Sequence, residues 1–146
     1  MGDPRDLFDL TGRVACVTGA SAGLGQRAAI ALANAGARVV GVARRADALD
    51  DWVARTGANA AAVAADLSQR DQIADIARRI TEPFGAPDIL VHAAGINTRR
   101  PADEMTDADW DVTQNLNVAA PFFLAKSIVI PLAKAAACPS SRSDWS

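Results

Sequence analysis

Three glycines in the run Thr18-Gly19-Ala20-Ser21-Ala22-Gly23-Leu24-Gly25 separate a short apolar segment, Val14 to Val17, from a stretch with helical periodicity. That arrangement suits a phosphate. One glycine permits a tight strand-to-helix turn, one lets backbone approach a pyrophosphate, and one lets the helix pack close on the strand. The anion would rest on the free N–H groups and positive dipole end of a helix beginning near Gly23. Leu24, Ala28, Ala31, Leu32 and Ala35 recur on one face of that helix, and Gly36 stops it. On this reading valine at Gly25 loosens the first helix, whereas valine at Gly19 spares the fold if the backbone there is ordinary.

Other chemistry-bearing residues stand at segment ends. Ala43-Arg44-Arg45 closes a second apolar segment. An acidic residue there would accept from a free ribose 2′-hydroxyl, whereas an arginine accommodates a 2′-phosphate, so Arg44 favours NADP over NAD. Asp66 follows a third segment and reads equally well as a residue capping the next helix. His92 ends a fourth, where a core histidine is the plain reading. Asn115 and Asn117 are about 200° apart around a helix and cannot point the same way. No metal is expected.

These residues need a scaffold that brings segment ends together. Arg38 to Ala43 reads as a second strand, and Leu49, Trp52, Val53 and Thr56 give a helical face ending at Gly57. Ala60 to Ala65 is a weak, alanine-rich third strand. Ser68 caps a helix carrying Ile73, Ile76, Ala77 and Ile80, with Asp71 placed to complete a capping box. Ile89 to His92 is a fourth strand, Gly95 opens a loop to about Met105, and Thr106 caps a last helical region from about Asp107 to the neighbourhood of Lys134. Right-handed crossovers between such units make an α/β, Rossmann-type, doubly wound parallel sheet in the order 3-2-1-4.

Composition narrows the classes further. With 146 residues, half of them hydrophobic, the chain has the size of one domain with a real core. The domain is expected over residues 1–137, with 138–146 an irregular tail. A net charge of −2 with scattered arginines provides no field for nucleic acid. The run from Val118 to Ala137 is apolar, but Lys126, Pro121 and Pro131 within it favour a buried or partner-facing helix over a membrane span. No apolar signal core follows Met1, and two cysteines make no disulfide framework, so a cytoplasmic location is expected. Cys16 reads as a small core residue and Cys138 as a free thiol.

Together these motifs resemble the short-chain dehydrogenases/reductases over roughly residues 7 to 135. Thr18-Gly-x-x-x-Gly23-x-Gly25 matches their cofactor loop, and Asp66-Leu67 their adenine-contacting pair. His92-Ala93-Ala94-Gly95 stands where the family usually has Asn-Asn-Ala-Gly, and Trp110 with Asn117 matches the start of its interface helix and the Asn of its catalytic tetrad. The resemblance implies cofactor contacts from Thr18, Gly19, Ser21, Ala22, Gly23, Leu24 and Gly25. It implies others from Arg44, Asp66, Leu67, His92, Ala94 and Gly95, with the position of His92 beside the cofactor ribose. Asn117 is then a catalytic residue. The loop from Gly95 to Ala102 and Asp109-Trp110-Asp111 are similar to the branch handling gluconate and ketogluconates, where Arg99 and Arg100 could hold a sugar-acid carboxylate. An exposed basic turn is the equal alternative.

The family's chemistry also needs a tyrosine acid/base, a lysine four positions on and a serine on the substrate oxygen. This chain has no tyrosine, and its two lysines, Lys126 and Lys134, lie on the apolar helix. The expectation is an inactive cofactor-binding half, cut or frame-shifted after about Ala137, before a fifth strand. A helix at 115–135 bearing Phe122, Phe123, Ile128, Val129 and Ile130 would lack packing partners and self-associate. The competing readings are a non-enzymatic nucleotide-binding or subunit-pairing module, and a remnant without function.

Overall fold

A computed structural model describes residues 7–137, with side-chain surroundings through residue 130. Four parallel strands, β1 (Val14–Thr18), β2 (Arg38–Ala43), β3 (Ala60–Ala64) and β4 (Ile89–His92), lie in the order 3-2-1-4. Register is set from the centre outward. Cys16 pairs with Val40 on one side and Leu90 on the other, and Val42 pairs with Val63.

Side chains that alternate along each strand feed two cores, one on each face of the sheet. Ala15, Val17 and Val39 pack with α1 (Gly23–Asn34) and α2 (Ala46–Thr56), whose contributions include Ala29, Leu49 and Trp52. Cys16, Val40, Val42 and Val63 face the other way, toward α3 (Ile73–Thr81) and α5 (Ala120–Ala137) through Ile76, Ile80, Leu124 and Ile128. Strands buried on both faces explain why β1 and β2 read as unbroken apolar runs. Burial pushes the Cys16 thiol up to about 12, so it acts as a small apolar filler.

Gly41 has no counterpart among the residues singled out in the sequence, yet it decides how β2 and α2 meet. A Cβ there would fall 2.6 Å from Cζ3 of Trp52. The bare backbone lets the indole lie directly on the strand.

Several local expectations change. On α1 Gly25 and Ala29 are buried, and Ala28 and Leu32 of the expected stripe pack half-buried against the core, while Leu24 is 82% exposed and Ala31 is exposed, so the inward face keeps part of that stripe and centres on Gly25 and Ala29. The small residues settle this, because only Gly25 fits against the turn. Ser68 does not cap α3. Its amide and hydroxyl both donate to Asp66 Oδ1, at 3.0 and 2.8 Å, and a 3₁₀ turn (Arg70–Gln72) intervenes before α3 starts, with Gln72 as its uncapped N-cap. Asp71 therefore completes no capping box.

Thr106 does cap α4 (Asp107–Gln114), in a reciprocal box with Asp109. The helix beyond it is interrupted by a π turn, Asn115–Ala119, before α5 begins. α5 is not stripped of partners: Ala120, Leu124 and Ile128 are buried, and Phe123 is half-buried with the Arg70 guanidinium 4.2 Å above its ring. Phe122, Val129 and Ile130 remain exposed. No helix among the described residues is long and apolar enough to cross a membrane. Cys138 and the tail from residue 138 lie outside the described residues.

Candidate functional site

At the carboxyl ends of the strands, the turn after β1 is anchored from both sides. Gly19 N–H and Ala20 N–H donate to the Val42 carbonyl at the end of β2, at 2.8 and 3.3 Å. Thr18, only 2% exposed, accepts through Oγ1 from the amides of Ala93 and Ala94 beyond β4, at 3.2 and 3.1 Å. A buried hydroxyl with two donors costs little, and it clamps the two loops together.

The glycines divide their work differently from the sequence expectation. Gly19 has φ +72°, and a Cβ there would lie 2.8 Å from the Ala93 carbonyl and the Ala94 amide. Its backbone is not ordinary, so valine at 19 is expected to damage the fold as well as the site. Gly23 has φ +60° but faces open space. Gly25 supplies the close approach of helix to turn, with a Cβ there only 2.3 Å from the Gly19 carbonyl oxygen.

α1 starts without a cap. Its N-cap, Ala22, is extended and has no side chain to offer, and no acidic residue lies in the first turn. The amide groups at this end are left for an external acceptor, and the helix dipole favours an anion. An empty-handed helix start behind a glycine turn with no room for Cβ atoms fits a pyrophosphate.

A groove-like cavity of about 690 Å³ runs from this turn across the ends of β2, β3 and β4. Such a volume lies within the usual range for small-molecule sites. Gly19, Ser21, Ala22, Arg44, Asp66 and Leu67 line it, as do Ala94 and Gly95. Thr18 lies beneath the turn. Gly23, Leu24, Gly25 and His92 are not among the lining residues, and His92 is exposed beside Thr18 in the sheet register rather than a core histidine. Partial burial holds its imidazole below the usual histidine value.

Asp66 is shaped by its own loop. The Ser68 amide, more than any other group, holds its carboxyl below the usual carboxylate range, with the Ser68 hydroxyl and the Arg44 charge adding to the effect against some desolvation. Arg45, which also lines the cavity, was missed as a site residue. Its Nη2 lies 3.3 Å from both the carbonyl and the hydroxyl of Ser21, bridging the end of β2 to the glycine turn. The doubled arginine after Ala43 was the available signal.

Asn117 is not among the lining residues; it lies behind Gly95 and Ile96, which are. Its Oδ1 accepts from the Ile96 amide at 2.9 Å and its Nδ2 donates to the Ile96 carbonyl at 2.8 Å. Asn115 is exposed. Arg100 stands 3.4 Å from the Asp109 carboxylate, while Arg99 has no ion-pair partner among the described residues. No group of three metal-binding side chains gathers among the described residues.

A family model described as short chain dehydrogenase matches residues 13–137. Gluconate 5-dehydrogenase of Gluconobacter oxydans is 39% identical over 126 residues, covering 84% of this chain and 49% of that protein. Hydroxynaphthalene reductase-like protein Arp2 of Metarhizium guizhouense is 36% identical over 133 residues, covering 88% of this chain and 49% of that protein. The solved structure of L-sorbose reductase from Gluconobacter frateurii, complexed with NADPH and L-sorbose, superposes with a TM-score of 0.80 at 30% identity, over 88% of this chain and 50% of that one. The chain spans about half the length of the curated relatives it matches.

Proposed function

The chain belongs to the short chain dehydrogenase family, and from that premise we propose that it is a dinucleotide-binding half with a preference for NADP over NAD. The observation that carries this reading is the cradle itself. Gly19 and Gly25 leave no room for a Cβ in the turn, and Ser21 and Ala22, immediately before the uncapped start of α1, line the cavity. Ser21 and Ala22 frame the phosphate end, Arg44 meets the 2′-phosphate, and Asp66 with Leu67 borders the adenine. Ala94 and Gly95 form the wall nearest the nicotinamide ribose. When bound, the nicotinamide donates or accepts a hydride.

Turnover is a separate matter. The 146 residues hold no tyrosine, so no phenol is at hand to pass a proton to or from a substrate oxygen. Asn117 is the one member of the family's tetrad matched here. Binding without catalysis is the expected behaviour of this polypeptide. The substrate class proposed for the whole enzyme is a sugar acid, supported by the likeness to gluconate 5-dehydrogenase and by Arg99, whose guanidinium is not engaged by a carboxylate among the described residues. A cytoplasmic setting accords with this reading.

Calorimetric titration of the purified chain with NADPH and NADH tests the proposal. Saturable binding with tighter NADPH is expected, and absence of binding to either refutes it. A second reading, a non-enzymatic pairing module, is favoured by Trp110, Val118, Phe122 and Val129, each at least half exposed along α4, the π turn and α5. Self-association through this face predicts a dimer in sedimentation that Phe122→Glu disperses.

A further inference from the structure

The segment after β4 is tied to the following helix by polar contacts at a regular stagger. Ile96 exchanges both of its backbone groups with the Asn117 amide, at 2.9 and 2.8 Å. Thr98 Oγ1 lies 3.4 Å from Thr113 Oγ1. Because the Thr113 hydroxyl already donates to the Asp109 carbonyl at 2.8 Å, Thr98 is the donor in that pair. Arg100 Nη1 then stands 3.4 Å from Asp109 Oδ2.

Steps of two along the loop thus meet steps of four along the helix, in opposite directions. The Arg100 amide also donates to the Thr98 carbonyl at 3.2 Å, so the loop turns tightly at Arg99 between the second and third of these contacts. Ile96 and Thr98 are half-buried, while Asn97 and Arg99 are exposed; Arg100 is exposed as well, so the outermost contact lies at the surface.

We infer that Asp109, Thr113 and Asn117 are positioning residues, a three-rung ladder that holds the segment from Ile96 to Arg100 and, through it, the Gly95 and Ile96 wall of the cavity. Gly95 is part of the fit, since a Cβ there would lie 3.1 Å from Asn117 Oδ1. Asp109 anchors two things at once. Its Oδ2 accepts from the Thr106 hydroxyl and amide, at 2.7 and 3.2 Å, and carries the Arg100 contact as well. One carboxylate therefore sets both the start of α4 and the outermost rung. The wall is held in place before a ligand arrives, so binding needs no loop to close.

The test compares Thr98→Val, Arg100→Ala and the double variant of the full 146-residue chain with Asn97→Ala, on the opposite edge of the segment. Amide hydrogen exchange at Ile96 is read alongside exchange at β1 and β2 and the affinity for NADPH. Each rung is expected to lower Ile96 protection by a factor of about two to five, as befits exposed polar contacts, with the double variant compounding the loss. NADPH affinity should fall in parallel, while β1 and β2 amides and Asn97→Ala stay unchanged. Unaltered Ile96 protection in the double variant, or an equal loss in Asn97→Ala, overturns the ladder. The affinity arm rests on the dinucleotide reading: if the parent chain binds no NADPH, that reading fails, while exchange still decides the ladder.

Discussion

Gly25 approaches Gly19 so closely that a Cβ on Gly25 would lie 2.3 Å from the Gly19 carbonyl oxygen. Neither atom can retreat easily, because Gly19 is hydrogen-bonded to Val42 and its own α-carbon faces Ala93. Gly25→Ala and Gly19→Ala should each destabilise the fold by about 1 to 3 kcal/mol through overpacking, the latter with added strain from its positive φ. Gly23→Ala, with open space around it, should cost only the strain of about 1 to 2 kcal/mol. Urea unfolding of the three variants gives the order, and Gly23→Ala as the worst of the three would contradict it.

Arg44→Asp should narrow or reverse the proposed preference for NADPH. A charge-assisted pair with a 2′-phosphate is worth about 1.5 to 3 kcal/mol at most, roughly a ten- to hundredfold change in affinity. Arg45→Ala should act more evenly on both dinucleotides, because its guanidinium bridges to Ser21 on the glycine turn. Equal NADPH and NADH affinities before and after Arg44→Asp would leave Arg44 a solvated charge.

Asp66→Ala should loosen the turn after β3, where two donors of Ser68 converge on one carboxylate oxygen. Asp66→Asn, which keeps an acceptor in place, should restore most of it. The folded pKa lies below the unfolded one, so the contribution is present above the unfolded value and disappears as pH falls through the folded value. The stability advantage over Asp66→Ala should therefore hold from neutral pH to about 4, the ordinary carboxylate value, and decline below it. A decline that begins near pH 6 would point elsewhere.

With NADPH and a panel of keto-sugar acids and simple ketones, the chain should show no cofactor oxidation above blank. The reason is chemical: no tyrosine is present to protonate a carbonyl oxygen. Substantial turnover that a substitution in this chain abolishes would refute it.

Gly41→Ala should displace Trp52, since the added methyl would fall 2.6 Å from Cζ3. A loss of about 1 to 3 kcal/mol is expected, with a shift in the emission of the buried indole. Unchanged emission and stability would mean that the indole has room to slide.

Much of the fold could be read from one dimension. The alternation of apolar runs with helix-period segments, punctuated by Gly36, Gly57 and Gly95, determined four strands, their order and their ends to within a residue, because short-range periodicity and crossover handedness leave few other solutions. The residue types of the cavity were legible too, since a doubly wound sheet gathers the ends of its strands at one edge. What the residues do there was decided in three dimensions. That Gly19 takes a positive φ against Ala93, that Ser68 serves Asp66 rather than α3, and that Gly41 seats Trp52 all depend on contacts between segments distant in the chain or on backbone angles no pattern encodes. The same holds for Arg100, claimed by Asp109, and for Asn117, which the π turn accompanies and Ile96 engages on both sides. Periodicity reports which face of an element is apolar; only packing determines which polar groups on the other face find one another.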